Sequence, residues 1–341
     1  MTRRRWWLAG LFVLTVGGLG RGAMLINGAG ATFPYPLYSK WFDEFHKKQS
    51  DVQINYQSIG SGGGIRQLLE GTVDFGASDA PMTDEQLASA KVPVLHLPTV
   101  LGAVVPTYNL ASVKTLRLGP ETLAGIFLAK ITRWDDAAIA RDNPGVTLPS
   151  EPIVPVHRSD GSGTTYIFTD YLTKVSPEWQ KSVGRGPSVN WPVGLGGKGN
   201  EGVTGLIQQT PNAIGYVELI YALQNKLAMA DIRNRAGEYV KPTIESVTAA
   251  AASAAANMPA DFRVSITDPA GKDAYPIASF TWLLVPTRIA DAGKGGAIKS
   301  FLGWMLTDGQ MHASPLHYAP LPSSVVAMEQ AALAKITVGG S

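Results

Sequence analysis

Three short runs rich in threonine, serine and glycine each precede a segment with helical patterning: residues 31–33, 60–64 and 160–164. The start of a helix presents free backbone N–H groups, and the helix macrodipole favours a negative charge there. Arg158 lies beside the third run and carries a permanent positive charge. Together these features predict a binding site for an oxyanion.

Asp79, which follows a predicted strand at residues 73–77, adds an acceptor to these donors. An ionised carboxylate only accepts hydrogen bonds, so it repels a bound anion unless the anion presents an O–H group. Phosphate keeps at least one proton near neutral pH, whereas sulfate keeps none. Asp79 therefore predicts selection of phosphate over sulfate. Considered by itself, Asp79 fits the plainer interpretation of a turn residue before Pro81.

An oxyanion stripped of water needs many strong donors, because an unpaired charge in a dry pocket is costly. The candidate hydroxyl donors are Thr32, Ser61, Ser162 and Thr164. The candidate backbone donors are the N–H groups of Phe33, Gly163 and Thr164. Arg158 offers a planar fork for bidentate contact, and nearby Asp160 is expected to hold that fork in place.

The composition excludes several classes of protein. The chain has 341 residues, of which 45% are hydrophobic, so it can bury a large core, and its length suggests about two domains. Its formal charge is only +2 and no long run of lysine and arginine occurs, so nucleic acid is not expected as a partner. The chain has no cysteine, which removes disulfides, thiol nucleophiles and thiolate metal sites.

The N-terminus resembles an export signal. Three arginines at residues 3–5 precede an apolar run at residues 6–20, which is shorter than the about 20 residues that a membrane-spanning helix needs. We expect a signal peptide over residues 1–23, with cleavage between about residues 20 and 25, although Arg21 interrupts the small residues there and no A-x-A site occurs in that interval. An uncleaved membrane anchor is the alternative.

Predicted strands and helices alternate along the rest of the chain. We expect strands at residues 52–59, 73–77, 153–157, 213–218 and 277–285. We expect helices at residues 34–45, 65–70, 120–127, 135–140, 202–209 and 243–257. This alternation predicts an α/β fold with parallel sheets covered by helices on both faces, and ligands at the carboxyl ends of the strands. The alanine-rich stretch at 249–256 is expected on a helix surface.

Two other functions, dinucleotide binding and phosphate ester hydrolysis, have weaker support in the sequence. Residues 194–202 match G-x-G-x-x-G twice, with Glu218 at the distance of a ribose-binding acid, but Pro192 interrupts the strand that a dinucleotide site requires. A glycine loop that opens a helix at Gly202 is preferred. A secreted phosphatase could use Ser61 or Ser162, yet neither lies in G-x-S-x-G, and the five histidines form no metal or base pattern. We therefore expect no catalytic residue, no metal and no cofactor, and we expect His157 to be a packing residue.

Four segments together resemble one family, the periplasmic phosphate-binding proteins of Pst-type phosphate ABC transporters: residues 28–34, 73–81, 158–164 and 191–200. The resemblance covers nearly the whole chain after the leader. It implies a fold like that of type II periplasmic binding proteins, with two α/β lobes, a two-crossover hinge and a ligand cleft between the lobes. The implied function is high-affinity binding of phosphate in the periplasm and delivery to a membrane permease, without catalysis. A binder of another oxyanion, arsenate or sulfate, is the alternative.

The resemblance also implies which residues bind phosphate: Thr32, Phe33, Ser61, Asp79, Arg158, Ser162, Gly163 and Thr164. Gly62 and Asp160 are expected to support them, although Gly62 stands where some family members have a second serine. We expect lobe I at residues 24–100 plus 277–341 and lobe II at residues 101–276. The partners expected are phosphate and the permease subunits, and the protein is expected to be a monomer.

Overall fold

The computed structural model describes residues 23–340. The predicted signal peptide, residues 1–23, lies outside the described residues apart from Ala23. In the described part, no helix combines the length and the hydrophobicity needed to cross a bilayer.

Strands and helices alternate through most of the chain. The strands are β1 Met24–Gly30, β2 Val52–Ser58, β3 Phe75–Ser78, β4 Val94–Tyr108, β5 Leu116–Leu118, β6 Val154–Arg158, β7 Leu195–Gly197, β8 Ala213–Glu218, β9 Ala228–Arg233, β10 Tyr239–Val240, β11 Ala278–Pro286, β12 Arg288–Ile289 and β13 Thr337–Val338. The helices are α1 Tyr35–Lys48, α2 Ser61–Glu70, α3 Asp84–Ser89, α4 Pro120–Phe127, α5 Ala137–Asp142, α6 Gly163–Val175, α7 Pro177–Ser182, α8 Gly199–Gln209, α9 Leu219–Gln224, α10 Ile244–Ala255, α11 Ala292–Met305 and α12 Ser323–Ala332. Short 3₁₀ turns lie at Asp308–His312, Ser314–Leu316 and Leu333–Lys335. The α/β class predicted from the sequence is confirmed.

The main sheet is mixed, which corrects the expectation of parallel sheets. Its strands follow the order β2-β1-β3-β11-β4-β8-β6-β7, and β1 is parallel to both β2 and β3. In contrast, β11 is antiparallel to β3 and β4, and β4 is antiparallel to β8. The reversal occurs because β4 and β11 carry the chain between the two halves of the molecule, in opposite directions.

Strand β4 joins the two lobes. Its residues 94–103 pair with β11, whereas residues 104–108 pair with β8. Where the pairing changes, the Val104 N–H donates to the Ile277 carbonyl at 2.9 Å, so the two crossing segments are bonded to each other. The sequence reading did not identify this strand. The boundaries predicted for lobes I and II stay a prediction.

Helix α1 shows how the sequence builds the core of the first lobe. Pro34 and Pro36 lie at its start, as the fixed backbone angle of proline favours. Its apolar positions recur at helical spacing and are buried, as predicted: Leu37, Tyr38, Trp41, Phe42 and Phe45. The rings of Phe42 and Phe45 lie 5.4 and 5.3 Å from that of Phe301 on α11. This packing fixes the turn between β1 and α1.

Three other local predictions need adjustment. Helix α2 begins at Ser61 instead of residue 65, because the serine and the following glycines form its first turn, and it ends at left-handed Gly71 as expected. Helix α8 begins at Gly199 instead of Gly202. In the alanine-rich helix α10, Ala250 and Ala251 are fully buried, because their small side chains let the helix pack against β4 and β11.

Candidate functional site

The residues predicted to bind the anion all lie where a strand ends or a helix begins. Thr32 and Phe33 follow β1, Ser61 opens α2 after β2, and Asp79 follows β3. Arg158 ends β6, and the N-terminus of α6 carries Ser162, Gly163 and Thr164. The structure brings these elements to one place and buries the polar side chains almost completely: Thr32, Ser61, Asp79, Arg158, Ser162 and Thr164.

Ser61 connects the two sides of the site. Its Oγ accepts the backbone N–H groups of Asp79 and Gly163, each at 3.1 Å. The Ser61 hydroxyl itself donates to Asp79 Oδ2 at 3.4 Å. Because the two N–H groups use the lone pairs of this hydroxyl, Ser61 can act towards a ligand only as a donor.

The other three hydroxyls are arranged in the same way. Arg158 Nη1 lies 3.3 Å from the Oγ1 atoms of both Thr32 and Thr164, and a guanidinium can only donate. Ser162 caps α6, where its Oγ accepts the Thr165 N–H at 3.0 Å. Each hydroxyl therefore accepts from a fixed protein donor, and its own proton is left for an outside acceptor.

Asp160 holds the Arg158 guanidinium in a bidentate ion pair. Arg158 Nε and Nη2 donate to the two carboxylate oxygens at 2.8 and 2.6 Å. Burial by itself would raise the pKa of Asp160, but the hydrogen bonds and charge of Arg158 outweigh it and hold that pKa below its ordinary value. Asp160 thus holds the guanidinium in place, as the sequence predicts. The ion pair leaves Nη1 directed at the threonine hydroxyls.

Asp79 is the buried acceptor of the site. Its Oδ1 accepts the hydroxyl proton of Thr281, a residue of β11, at 2.8 Å. Burial raises the pKa of Asp79 to about 7, although the Thr281 hydrogen bond, the charge of Arg158 and the Ser61 hydrogen bond oppose the rise. Asp79 is thus poised to exchange a proton near neutral pH.

Backbone peptides complete the site. The Tyr221 hydroxyl lies 2.6 Å from the Thr32 carbonyl, and the Tyr318 hydroxyl lies 2.6 Å from the Phe33 carbonyl. In a trans peptide the C=O and the next N–H point in opposite directions, so the Phe33 N–H is aimed away from Tyr221. Gly62, expected to support the site, donates its N–H to the Gly161 carbonyl at 2.9 Å and so connects the two loops.

Gly163 allows α6 to lie close to Ser61 and Asp79. A Cβ at this position would lie 2.4 Å from Ser61 Oγ and 2.5 Å from Asp79 Oδ2. No side chain fits at that distance, so the contact between α6 and the β3 end requires glycine.

Several site residues were not identified from the sequence. Thr281 lies in an apolar strand and gave no signal, whereas Asn200 lies in the glycine-rich segment that the sequence reading treated as a helix-opening loop. Asn200 Nδ2 lies 2.7 Å from Thr32 Oγ1.

His157 stacks on Trp191 with ring centroids 4.8 Å apart, which agrees with the packing role expected for it. Across residues 23–340, no group of three or more histidine, aspartate or glutamate side chains is arranged to hold a metal ion.

The chain is similar in sequence and in fold to known phosphate-binding proteins. A family model described as the PBP superfamily domain matches residues 18–309. The chain is 48% identical over 303 residues to phosphate-binding protein PstS of Xylella fastidiosa, which covers 88% of this chain and 82% of the relative. It is 45% identical over 333 residues to PstS of Pasteurella multocida, an alignment that covers 97% of this chain and 95% of the relative. A solved structure of a high affinity periplasmic phosphate-binding protein bound with phosphate shares the fold, with a TM-score of 0.72 at 24% identity and coverage of 90% and 93%.

Proposed function

This chain belongs to the PstS phosphate-binding proteins of the PBP superfamily, and from that membership we propose that its buried site binds one inorganic phosphate ion for import by an ABC transporter. The residues proposed to contact the ion are Thr32, Phe33, Ser61, Asp79, Arg158, Ser162, Gly163 and Thr164. Asp160 and Gly62 support them, through the ion pair with Arg158 and the loop contact with Gly161.

One observation carries the proposal: the buried hydroxyls of Thr32, Ser162 and Thr164 each accept from a protein N–H group and keep their protons for a ligand. A ligand that receives this many donors and a guanidinium must be rich in negative oxygen atoms. Asp79, the acceptor among them, requires that one ligand oxygen carry a proton. Protonated phosphate satisfies both conditions. In the closed arrangement the protein's own hydrogen bonds orient these donors, so little further rearrangement of side chains opposes binding.

The relatives are binding proteins, and we infer that this chain also holds phosphate without hydrolysing it. The lone pairs of Ser61 Oγ accept the N–H groups of Asp79 and Gly163, so this oxygen is poorly placed to attack phosphorus. Incubation with a chromogenic phosphate ester should release no more product than the buffer blank. Release that saturates with ester and disappears in Ser61→Ala would establish an enzyme instead.

We also propose that the protein works in the periplasm and that its partner is a membrane permease. The family that the sequence resembles is periplasmic, and the basic and apolar leader read from the sequence fits export to that compartment. There the protein acts as a monomer that delivers phosphate to permease subunits in the membrane. Expression of the full chain followed by cell fractionation tests the location, and recovery of the protein in the cytosol would contradict it.

Calorimetry on purified and exhaustively dialysed protein tests the ligand. Phosphate should bind with one ion per chain and a dissociation constant below about 1 μM, equivalent to more than about 8 kcal/mol. Sulfate should give no saturable heat at the same concentrations, and arsenate serves as a competitor of similar shape and protonation. Saturation by sulfate with an affinity equal to that of phosphate would overturn the proposal.

A further inference from the structure

The glycine-rich segment that suggested a dinucleotide loop instead places an asparagine against the anion site. Asn200, near the start of α8, is completely buried. Its Nδ2 lies 2.7 Å from Thr32 Oγ1 and 3.3 Å from Thr164 Oγ1. The two hydroxyls belong to the β1–α1 turn and to α6, so one amide group spans both sides of the site.

The orientation of this amide is determined by its other contact. Asn200 Oδ1 accepts the backbone N–H of Glu218 at 3.0 Å. A backbone N–H can only donate, so the oxygen of the amide must face Glu218 and the NH₂ group must face the two threonines. An asparagine NH₂ has two protons, which is the number needed to supply one hydrogen bond to each hydroxyl.

We propose that Asn200 is a positioning residue that sets the direction of hydrogen bonding at the phosphate site. By donating to Thr32 and Thr164, it occupies their acceptor positions together with Arg158 and leaves the two hydroxyl protons to the ligand. Without the Asn200 amide, Thr164 Oγ1 keeps only Arg158 as a donor, and Thr32 Oγ1 keeps Arg158 and the Asn200 backbone N–H at 3.4 Å. Each hydroxyl then gains freedom to rotate and to present a lone pair, which repels an anion. This inference rests on the proposed function, since it assumes that phosphate is the ligand.

The same segment stabilises the charged part of the site. The Gly199 N–H donates to Asp160 Oδ1 at 3.1 Å, and Asp160 holds the Arg158 guanidinium. Adjacent residues 199 and 200 therefore act on the cation and on the hydroxyls respectively. Both residues lie at the start of helix α8, which begins at Gly199, three residues earlier than the sequence pattern indicated.

A double-mutant cycle tests the inference, with phosphate affinity measured by calorimetry at pH 8. Asn200→Ala should weaken phosphate binding 10- to 100-fold, because two hydroxyl donors lose their orientation. Thr32→Val removes one of those hydroxyls while keeping the shape of the side chain. In the Thr32→Val background the penalty of Asn200→Ala should shrink at least threefold, since one of its two targets is gone.

Two further variants separate positioning from folding. Asn200→Asp keeps the shape of the side chain and the contact with the Glu218 N–H, but it replaces the NH₂ group that faces the two threonines with a carboxylate oxygen, which only accepts. It should therefore weaken phosphate binding more than Asn200→Ala. Asn234→Ala is the matched control, because Asn234 is another buried asparagine whose amide holds the loop carbonyls of Gly271 and Lys272. It should lower the melting temperature and leave phosphate affinity within twofold.

The outcomes are distinguishable. If wild-type protein binds no phosphate, the proposed function fails. If wild-type protein binds phosphate but Asn200→Ala costs the same in both backgrounds, within twofold, Asn200 supports only the fold and the inference is wrong. Binding by Asn200→Asp at the wild-type level would also overturn it.

Discussion

We expect anion selectivity to depend on Asp79, because this carboxylate is the acceptor placed among many donors. Replacing it with asparagine introduces an NH₂ group that can donate to a fully deprotonated oxyanion. In Asp79→Asn, the affinity for sulfate relative to phosphate should rise at least tenfold. Calorimetric titration of wild-type and variant protein with both anions measures this ratio. An unchanged ratio would show that selectivity arises elsewhere in the site.

The pKa of Asp79 also predicts how stability depends on pH. An aspartate has a pKa near 3.8 when exposed in the unfolded chain and about 7 in the folded protein, so the folded state binds more protons between these values. The contribution of Asp79 to the free energy of unfolding therefore falls as pH rises from about 4 to 7. A difference of about three pKa units corresponds to at most about 4 kcal/mol.

Asp79→Asn should consequently stabilise the protein relative to wild type by more at pH 8 than at pH 5. The buried Glu329, whose pKa burial also raises, is present in both proteins and cancels in the comparison. Glu218 does not cancel fully, because the charge of Asp79 adds to the effect of burial in raising its pKa. Urea unfolding in phosphate-free buffer at the two pH values gives the difference. An equal effect at both would mean that Asp79 titrates normally in the folded state.

At the scale of elements, the N-terminus of α6 lies against the end of β3 with no room for a side chain between them. Gly163→Ala would place a methyl group against Ser61 Oγ and Asp79 Oδ2, which would push α6 away from β3. We expect at least a 100-fold loss of phosphate affinity, measured by calorimetry.

Gly205→Ala is the matched control for this substitution. Gly205 lies inside α8, where an added Cβ meets no atom within 4 Å. Alanine there should raise the free energy of unfolding by about 0.5–1 kcal/mol through its better helix propensity, and phosphate affinity should not change. Equal losses of affinity in the two variants would argue against a specific contact at Gly163.

The elements most visible in the sequence were those with a strong local signal. The spacing of Leu37, Trp41 and Phe45 and the prolines before them were sufficient to predict α1 and its buried face. Strand β4 was missed because its residues are buried on both faces from His96 to Tyr108 and alternate with no period. Its antiparallel pairing with β8 depends on residues more than a hundred positions away, which local patterning cannot report.

The site residues also differ in how strong a local signal they leave in the sequence. Thr32, Ser61 and Arg158 stood in recognisable turns, so both local chemistry and the family resemblance pointed to them. Thr281 and Asn200 were not found, because a threonine in an apolar strand and an asparagine after glycines gain meaning only from what the fold places beside them. Side chains that act through a neighbour leave little trace in a single sequence.

At the scale of the whole molecule, the proposed lobes meet directly across the site. Gly62 of lobe I bonds to Gly161 of lobe II, and Thr32 contacts Arg158 and Asn200. We expect the ligand-free protein to open at the crossing segments and phosphate to close it. Small-angle scattering should then show a decrease of about 1 Å in a radius of gyration of about 20 Å when phosphate is added. An identical curve with and without phosphate would contradict lobe closure.

The pairing of β4 with both β11 and β8 has a consequence for dissecting the protein. Cutting the chain at the crossing would expose strand edges in each fragment, with unpaired N–H and C=O groups that promote self-association. Neither half is therefore a good candidate for separate expression, and thermal denaturation of the intact chain should proceed as a single cooperative event.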